Sequence, residues 1–321
     1  MSDSGDTDRK AAKFEDYLKT YSALAELTRK ETFAKHPYEA DMLFEFVDNW
    51  PDFAKLLNQR LAEISNSLSG IILVNSWRLT NWISFDILSG KYFEAIRNLR
   101  FIFEGSVYAV ILEDTIEATV FQRWKKLSAL DMKAEIFELW EKCRQKRVRE
   151  KGKVDGEKVK QVVTDYVATR IDASKKAREQ EYIGIYTEIL CDERLYLSID
   201  KMLRKCAGFL GLDDSDVDKL QKLWHELSRY QHFSYPYLKA VLDDPESCLM
   251  EKLSGDLLQR SSAFYFDTLD FFYAVLAWRF HFLRKTIKEM CEWWAKNFKR
   301  NLGVTEKTLR NLAELLRPEK S

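Results

Sequence analysis

The groups best able to do chemistry sit in two stretches of this chain. In 216–238, DVDKLQKLWHELSRYQHFSYPYL, His225, Arg229 and His232 fall at i, i+4 and i+7. A helix places all three on one face, with Ser228 and Ser234 flanking them. An imidazole beside a guanidinium supplies a general acid/base and an anion clamp, the parts required to cleave RNA at a 2′-hydroxyl. In 90–113, GKYFEAIRNLRFIFEGSVYAVILE, Arg97, Arg100 and Glu104 fall at i, i+3 and i+7. Arg100 and Glu104 are four apart and are spaced to pair directly. Two imidazoles seven apart bind a metal only with carboxylates at a matching spacing; these are missing, so no metal site is expected. The competing reading is structural: the same cations and imidazoles satisfied at a helix–helix seam.

The elements that must hold these groups read as helices throughout. Between Pro51 and Pro236 there is no proline, and the whole chain has 11 glycines and 5 prolines, too few turn residues for a β-rich protein. The expected fold is all-α, a multi-helix bundle of antiparallel helices with no sheet. A first helix over 11–34 carries Phe14, Leu18, Tyr21, Leu24 and Leu27 on one stripe and is broken at His36-Pro37. A short helix over 38–48 follows. Then comes 51–88, one bent helix or two, apolar on most sides in its second half and stopped by Ser89-Gly90. So short a link makes 91–113 its antiparallel partner. Further helices are expected over 115–130, 131–150, 157–181, 182–210, 216–234 and 256–300. Gly303 ends the last of these, and Thr305 caps a short helix over 306–316. The core is expected from 51–88, 91–113, 216–234 and 256–290.

Composition narrows the class. The chain has 321 residues, 46% hydrophobic and 13% aromatic, enough for a sizeable core. Lys+Arg and Asp+Glu are both 51, which argues against a globally basic nucleic-acid binder. Cys143, Cys191, Cys206, Cys248 and Cys291 are widely spaced with no C-x-x-C, as expected of reduced thiols in a cytoplasmic protein. The most apolar window, Phe264–Phe282, is interrupted by Asp267, Asp270, Arg279 and His281, so it reads as a buried helix rather than a membrane span. There His281, beside Arg279, reads as a core-edge imidazole with a local partner. The pair Trp293-Trp294 reads as core or dimer packing. Residues 1–10 are expected to be disordered and 11–318 to form one helical domain. The basic run CRQKRVREKGKVDGEKVK, 143–160, begins a polar charged projection extending to about 181. Nothing implies a cofactor.

The block FEAIRNLRFIFE (93–104), followed by LSRYQHFS (227–234), resembles an uncharacterised family of prokaryotic all-helical proteins with R-x-x-x-E and L-S-x-Y-x-H-x-S helices. The resemblance covers two helices and implies Arg100, Glu104, Ser228, Tyr230, His232 and Ser234 as motif positions. The architecture also looks distantly like the HEPN group of helical bundles, RNA-cleaving or nucleotide-binding modules of toxin and defence systems. Those place four to six residues between an Arg and the following His; here two separate Arg229 from His232.

Two functional readings follow. The first is a binding or interaction protein of a prokaryotic defence or stress system, with an unidentified protein partner or self-association through its aromatic helices. The second is a HEPN-like, metal-independent ribonuclease or nucleotide-binding module using Arg229 and His232, with Arg97, Arg100, Glu104 and His225 in support. The sequence favours the first.

Overall fold

Apolar side chains recurring at helical spacing, with few glycines or prolines to interrupt them, make the described residues helical almost everywhere. The computed structural model describes residues 4–48, 50–65, 67–117, 130–150, 152–170, 179–231 and 252–315. The elements are α1 (Ser4–Lys35), α2 (Pro37–Asp48), α3 (Trp50–Gln59), α4 (Leu61–Ser65), α5 (Leu68–Leu88) and α6 (Tyr92–Leu112). A π-helical turn (Glu113–Glu117) follows, then α7 (Leu130–Gln145), β1 (Arg149–Glu150), β2 (Lys153–Val154), α8 (Gly156–Arg170) and α9 (Glu179–Leu190). A 3-10 turn (Glu193–Tyr196) leads to α10 (Ile199–Leu210), α11 (Asp214–Gln231) and α12 (Gly255–Arg279), and a second 3-10 turn (His281–Leu283) to α13 (Arg284–Phe298) and α14 (Gly303–Leu315).

The all-α bundle is as expected, and α6 is its axis. It packs on α5, α10, α11 and α12, and Ala95, Ile96, Leu99, Ile102, Phe103 and Val107 along it are fully buried. The α5–α6 link closes as the sequence predicts. Gly90 takes φ 82°, a left-handed turn that glycine adopts without strain, and Lys91 N–H returns to Asp86 O at 2.8 Å. Among the described residues the small exception is the two-stranded hairpin pairing Arg149 with Val154, turned at Gly152 (φ 86°).

Several boundaries differ from expectation for identifiable reasons. Helix α1 starts at Ser4, inside the segment expected to be disordered. The segment 51–88 is three helices, because Ser67 starts α5 afresh: its Oγ accepts from Gly70 N–H at 3.0 Å. Gly70 then lies inside α5, where a Cβ would sit 2.5 Å from Ile64 O. The expected helix 182–210 is divided by the 3-10 turn, whose Asp192 side chain caps Arg194 N–H at 2.9 Å. The expected helix 256–300 breaks at Phe280, which is extended (φ −117°, ψ 97°). His281 therefore stands exposed in a turn, not at a core edge. Gly303 begins α14 instead of ending α13, and the cap comes from another helix: Asp270 accepts Val304 N–H at 2.9 Å and Thr305 N–H at 2.8 Å. The expected helix 115–130 falls largely outside the described residues.

The polar projection carries more than charge. Over 143–170 a second apolar cluster runs beneath exposed charges such as Arg144, Lys146, Arg147 and Lys153: Cys143, Val148, Val159, Val163 and Val167 are buried with Trp140 and with Ile185 and Ile189 of α9. Three valines at four-residue steps suffice for one stripe, whatever the charge on the other faces. Trp140 locks this cluster by donating its indole N–H to Leu195 O at 2.9 Å. Ile72 of α5 and Tyr108 of α6 pack against both clusters. Residues 171–178 of the expected projection lie outside the described residues.

Candidate functional site

The two stretches singled out in the sequence do meet, along the seam of α6 and α11. Arg100 and Glu104 point from α6 toward α11 because Leu99, Ile102 and Phe103 take the core side. Arg100 Nε donates to Glu104 Oε1 at 2.8 Å, and Trp224 Nε1 donates to the same oxygen at 3.1 Å. The Arg100 guanidinium lies over the Trp224 ring, 5.7 Å from its centre. Side-chain exposures of 17% for Arg100 and 27% for Glu104 make this a half-sheltered pair, held by a third group as such pairs require. Arg100 Nη1 is buried with no hydrogen-bond partner among the described residues.

The other motif residues of α11 spread around this seam. His225 is exposed; its ring stands edge-on to Trp224 at 4.8 Å, and Nε2 lies 3.9 Å from Asp200 Oδ1 of α10. Arg229 is exposed and donates to Glu226 Oε1 at 2.7 Å on its own helix. Ser228 turns inward to its own backbone, donating to Trp224 O at 2.7 Å. Tyr230 is a core residue between Phe93 and Phe264, with Arg260 donating to its hydroxyl. Arg97 is exposed on α6. His232 and Ser234 lie outside the described residues. The structure thus brings Arg100 and Glu104 together with Trp224, and Trp224 together with His225.

Two ionic clusters were missed by sequence reasoning, both hung on the π-helical turn. Glu113 accepts from Arg279 Nε at 3.0 Å and from Ser69 Oγ at 2.5 Å, and Arg279 Nε also reaches Ser69 Oγ at 3.1 Å. The neighbouring Asp114 takes Arg194 Nη1 at 2.7 Å and Lys205 Nζ at 3.6 Å. Arg194 also grips Asp192; burial alone would raise that carboxyl, but the Arg194 hydrogen bonds and charge hold it below its ordinary value. Arg279 was visible as a cation within an apolar helix, which demands an acidic partner, but the partner proves to be Glu113, 166 positions away. Glu113 and Asp114, adjacent on the π-helical turn, thus serve two separate clusters whose partners lie far away in the chain.

The α6–α11 seam thus joins a cation, a carboxylate and an indole beside the exposed His225, while the π-turn clusters tie helices together. Among the described residues no group of three or more His, Cys, Asp or Glu is arranged to hold a metal, and no helix is long and apolar enough to cross a membrane. No family model, no curated protein and no solved structure matches this chain.

Proposed function

We propose that this chain is a helical interaction protein that works by presenting aromatic helix faces to a protein partner. The observation that carries the reading is on α5. Trp82 and Phe85 are 64% and 38% exposed, with ring centres 6.4 Å apart, while Leu73, Ile83 and Ile87 of the same helix fill the core. A central helix that keeps a Trp–Phe pair exposed carries a costly apolar surface. Exposed aromatic pairs of this kind are what partner surfaces employ. The polar seam supports the same conclusion, since Glu104, Ser228 and Tyr230 make their bonds within the protein. Placement in a prokaryotic defence or stress system rests on the resemblance of the two helix motifs, and a cytoplasmic location on the cysteine spacing. The test is a photo-crosslinking residue at Trp82, with one at Lys285 as control. A discrete protein adduct at position 82 alone is expected; equal labelling at both positions contradicts the reading.

The second reading, RNA or nucleotide handling through Arg229 and His232, is favoured by one specific feature. Arg100 Nη1 is buried without a hydrogen-bond partner among the described residues, over the ring of Trp224, the residue next to the exposed His225. Such an orphaned cationic donor is suited to an anionic ligand. Incubation of RNA with the wild type, Arg229→Ala and His232→Ala decides it: cleavage confined to the wild type supports this reading, and none, or equal cleavage by all three, removes it.

A further inference from the structure

The expected stripe on helix α1 stays largely in water: among its described members Leu27 is 56% exposed and Leu24 half-buried, and the earlier ones are no better covered. Leu18 and Tyr21 are 52% and 53% exposed, and every described side chain from Glu15 to Ala23 is exposed. The part that packs on α2 and α5 comes later, where Thr28 and Thr32 are buried. At three- and four-residue steps, positions 18, 21, 25, 28 and 32 form one continuous line. That line runs into the body at its C-terminal end and out into water at its N-terminal end. An unpacked arm of this length is marginal as an isolated helix in water, because helical stability in proteins comes chiefly from packing an apolar face.

The charges around the arm select its occupant. Lys91, at the turn between α5 and α6, stands over the Tyr21 ring at 5.7 Å. On the arm, Glu15 borders the stripe nearly two turns from Tyr21. If two arms cross antiparallel about Leu18, residue 15 of one copy arrives at the level of Tyr21 of the other, where Lys91 waits, and the symmetry makes the contact twice. A parallel crossing would bring the two Lys91 groups to the same level. The chain's zero net charge adds no repulsion between copies.

We infer that the partner of α1 is a second copy of this chain, paired arm to arm and antiparallel, with Leu18 on the two-fold axis and Glu15 of each copy against Lys91 of the other. This rests on the interaction reading above but uses a different helix from the Trp82 face, so the two can fail separately. A homodimer of this kind leaves the aromatic face of α5 available to another protein.

The experiment uses the full chain. Leu18→Cys, treated with oxidised glutathione, is expected to give a covalent dimer whose linkage maps by mass spectrometry to position 18 of both chains, while Lys285→Cys gives none. Leu18→Glu is expected to raise the dimer dissociation constant at least about 100-fold, and Lys91→Glu several-fold, with thermal unfolding of the subunit unchanged. A reversal of the Lys91→Glu loss by Glu15→Lys in the same chain identifies the antiparallel contact. A wild type that stays monomeric at tens of micromolar, or a Leu18→Glu variant that dimerises as the wild type does, overturns the proposal. A monomer that still forms a specific adduct at Trp82 overturns this proposal and leaves the interaction reading standing.

Discussion

Glu104 and Trp224 are 120 residues apart in the chain, and the indole N–H of Trp224 ends 3.1 Å from the carboxylate oxygen of Glu104. The same oxygen holds Arg100 at 2.8 Å. One acceptor thus fastens α11 to α6 and fixes the orientation of the face that carries His225 and Arg229.

Removing that acceptor exposes its weight. Glu104→Ala leaves the Arg100 guanidinium and the Trp224 N–H without their partner, and the expected loss is about 1–3 kcal/mol of unfolding free energy. Trp224→Phe removes one hydrogen bond and is expected to cost about 1 kcal/mol. Because the groups share one oxygen, the two losses are expected to be non-additive in a double-mutant cycle read by urea unfolding. Strict additivity would show that the seam is not a unit.

Gly70 is set by close approach, since its added Cβ would meet the Ile64 carbonyl at 2.5 Å. Gly70→Ala is expected to destabilise by about 1–3 kcal/mol, as overpacking does, although alanine is the better helix former in the abstract. A neutral or stabilising Gly70→Ala in the same urea assay would contradict the close junction of α4 and α5.

Asp270 should make stability depend on pH in an unusual direction. Burial lifts its carboxyl from an ordinary 3.8 to about 6, against the lowering effect of the Thr305 and Val304 N–H groups that it caps. The folded state therefore binds more protons than the unfolded one between these values. The contribution of this group to stability is complete below the unfolded value and is lost as pH rises through about 6. The measured quantity is the stability of the wild type minus that of Asp270→Asn, which is expected to fall between pH 4 and pH 7 by roughly 1–3 kcal/mol. A difference that stays flat or rises would refute the assignment.

Val163 distinguishes a second core from a solvated projection. It is fully buried among Val159, Val167 and Trp140. Val163→Asp is expected to cost several kcal/mol and to loosen α8 and α9 in hydrogen exchange before the main bundle. Tolerance of the charge would show that the stripe of Val159, Val163 and Val167 is not a core.

The parts of this fold that the sequence displays are those governed by local spacing. The antiparallel turn at Ser89-Gly90, the apolar all-round character of α5 and the Arg100–Glu104 pair all follow from residues within one or two turns of each other. Their long-range complements do not. Trp224 lies on the apolar side of α11 in the sequence pattern, yet its polar edge supplies the bond to Glu104. Val159, Val163 and Val167 sit in a segment, 143–170, that is dominated by charges when taken whole, so composition hid a stripe that geometry needs only three residues to make. The break at Phe280 carries neither glycine nor proline, and nothing local announces it. For α1 the stripe of Leu18 and Tyr21 was legible while its partner was not, because periodicity shows that a face seeks cover and never says from which chain.

Sedimentation equilibrium of the wild-type chain tests that pairing most directly. The subunit mass is 37.9 kDa. A dimer predicts a species of twice that mass at tens of micromolar, converted to the single mass by Leu18→Glu; a wild type that sediments only at 37.9 kDa would contradict the pairing of α1.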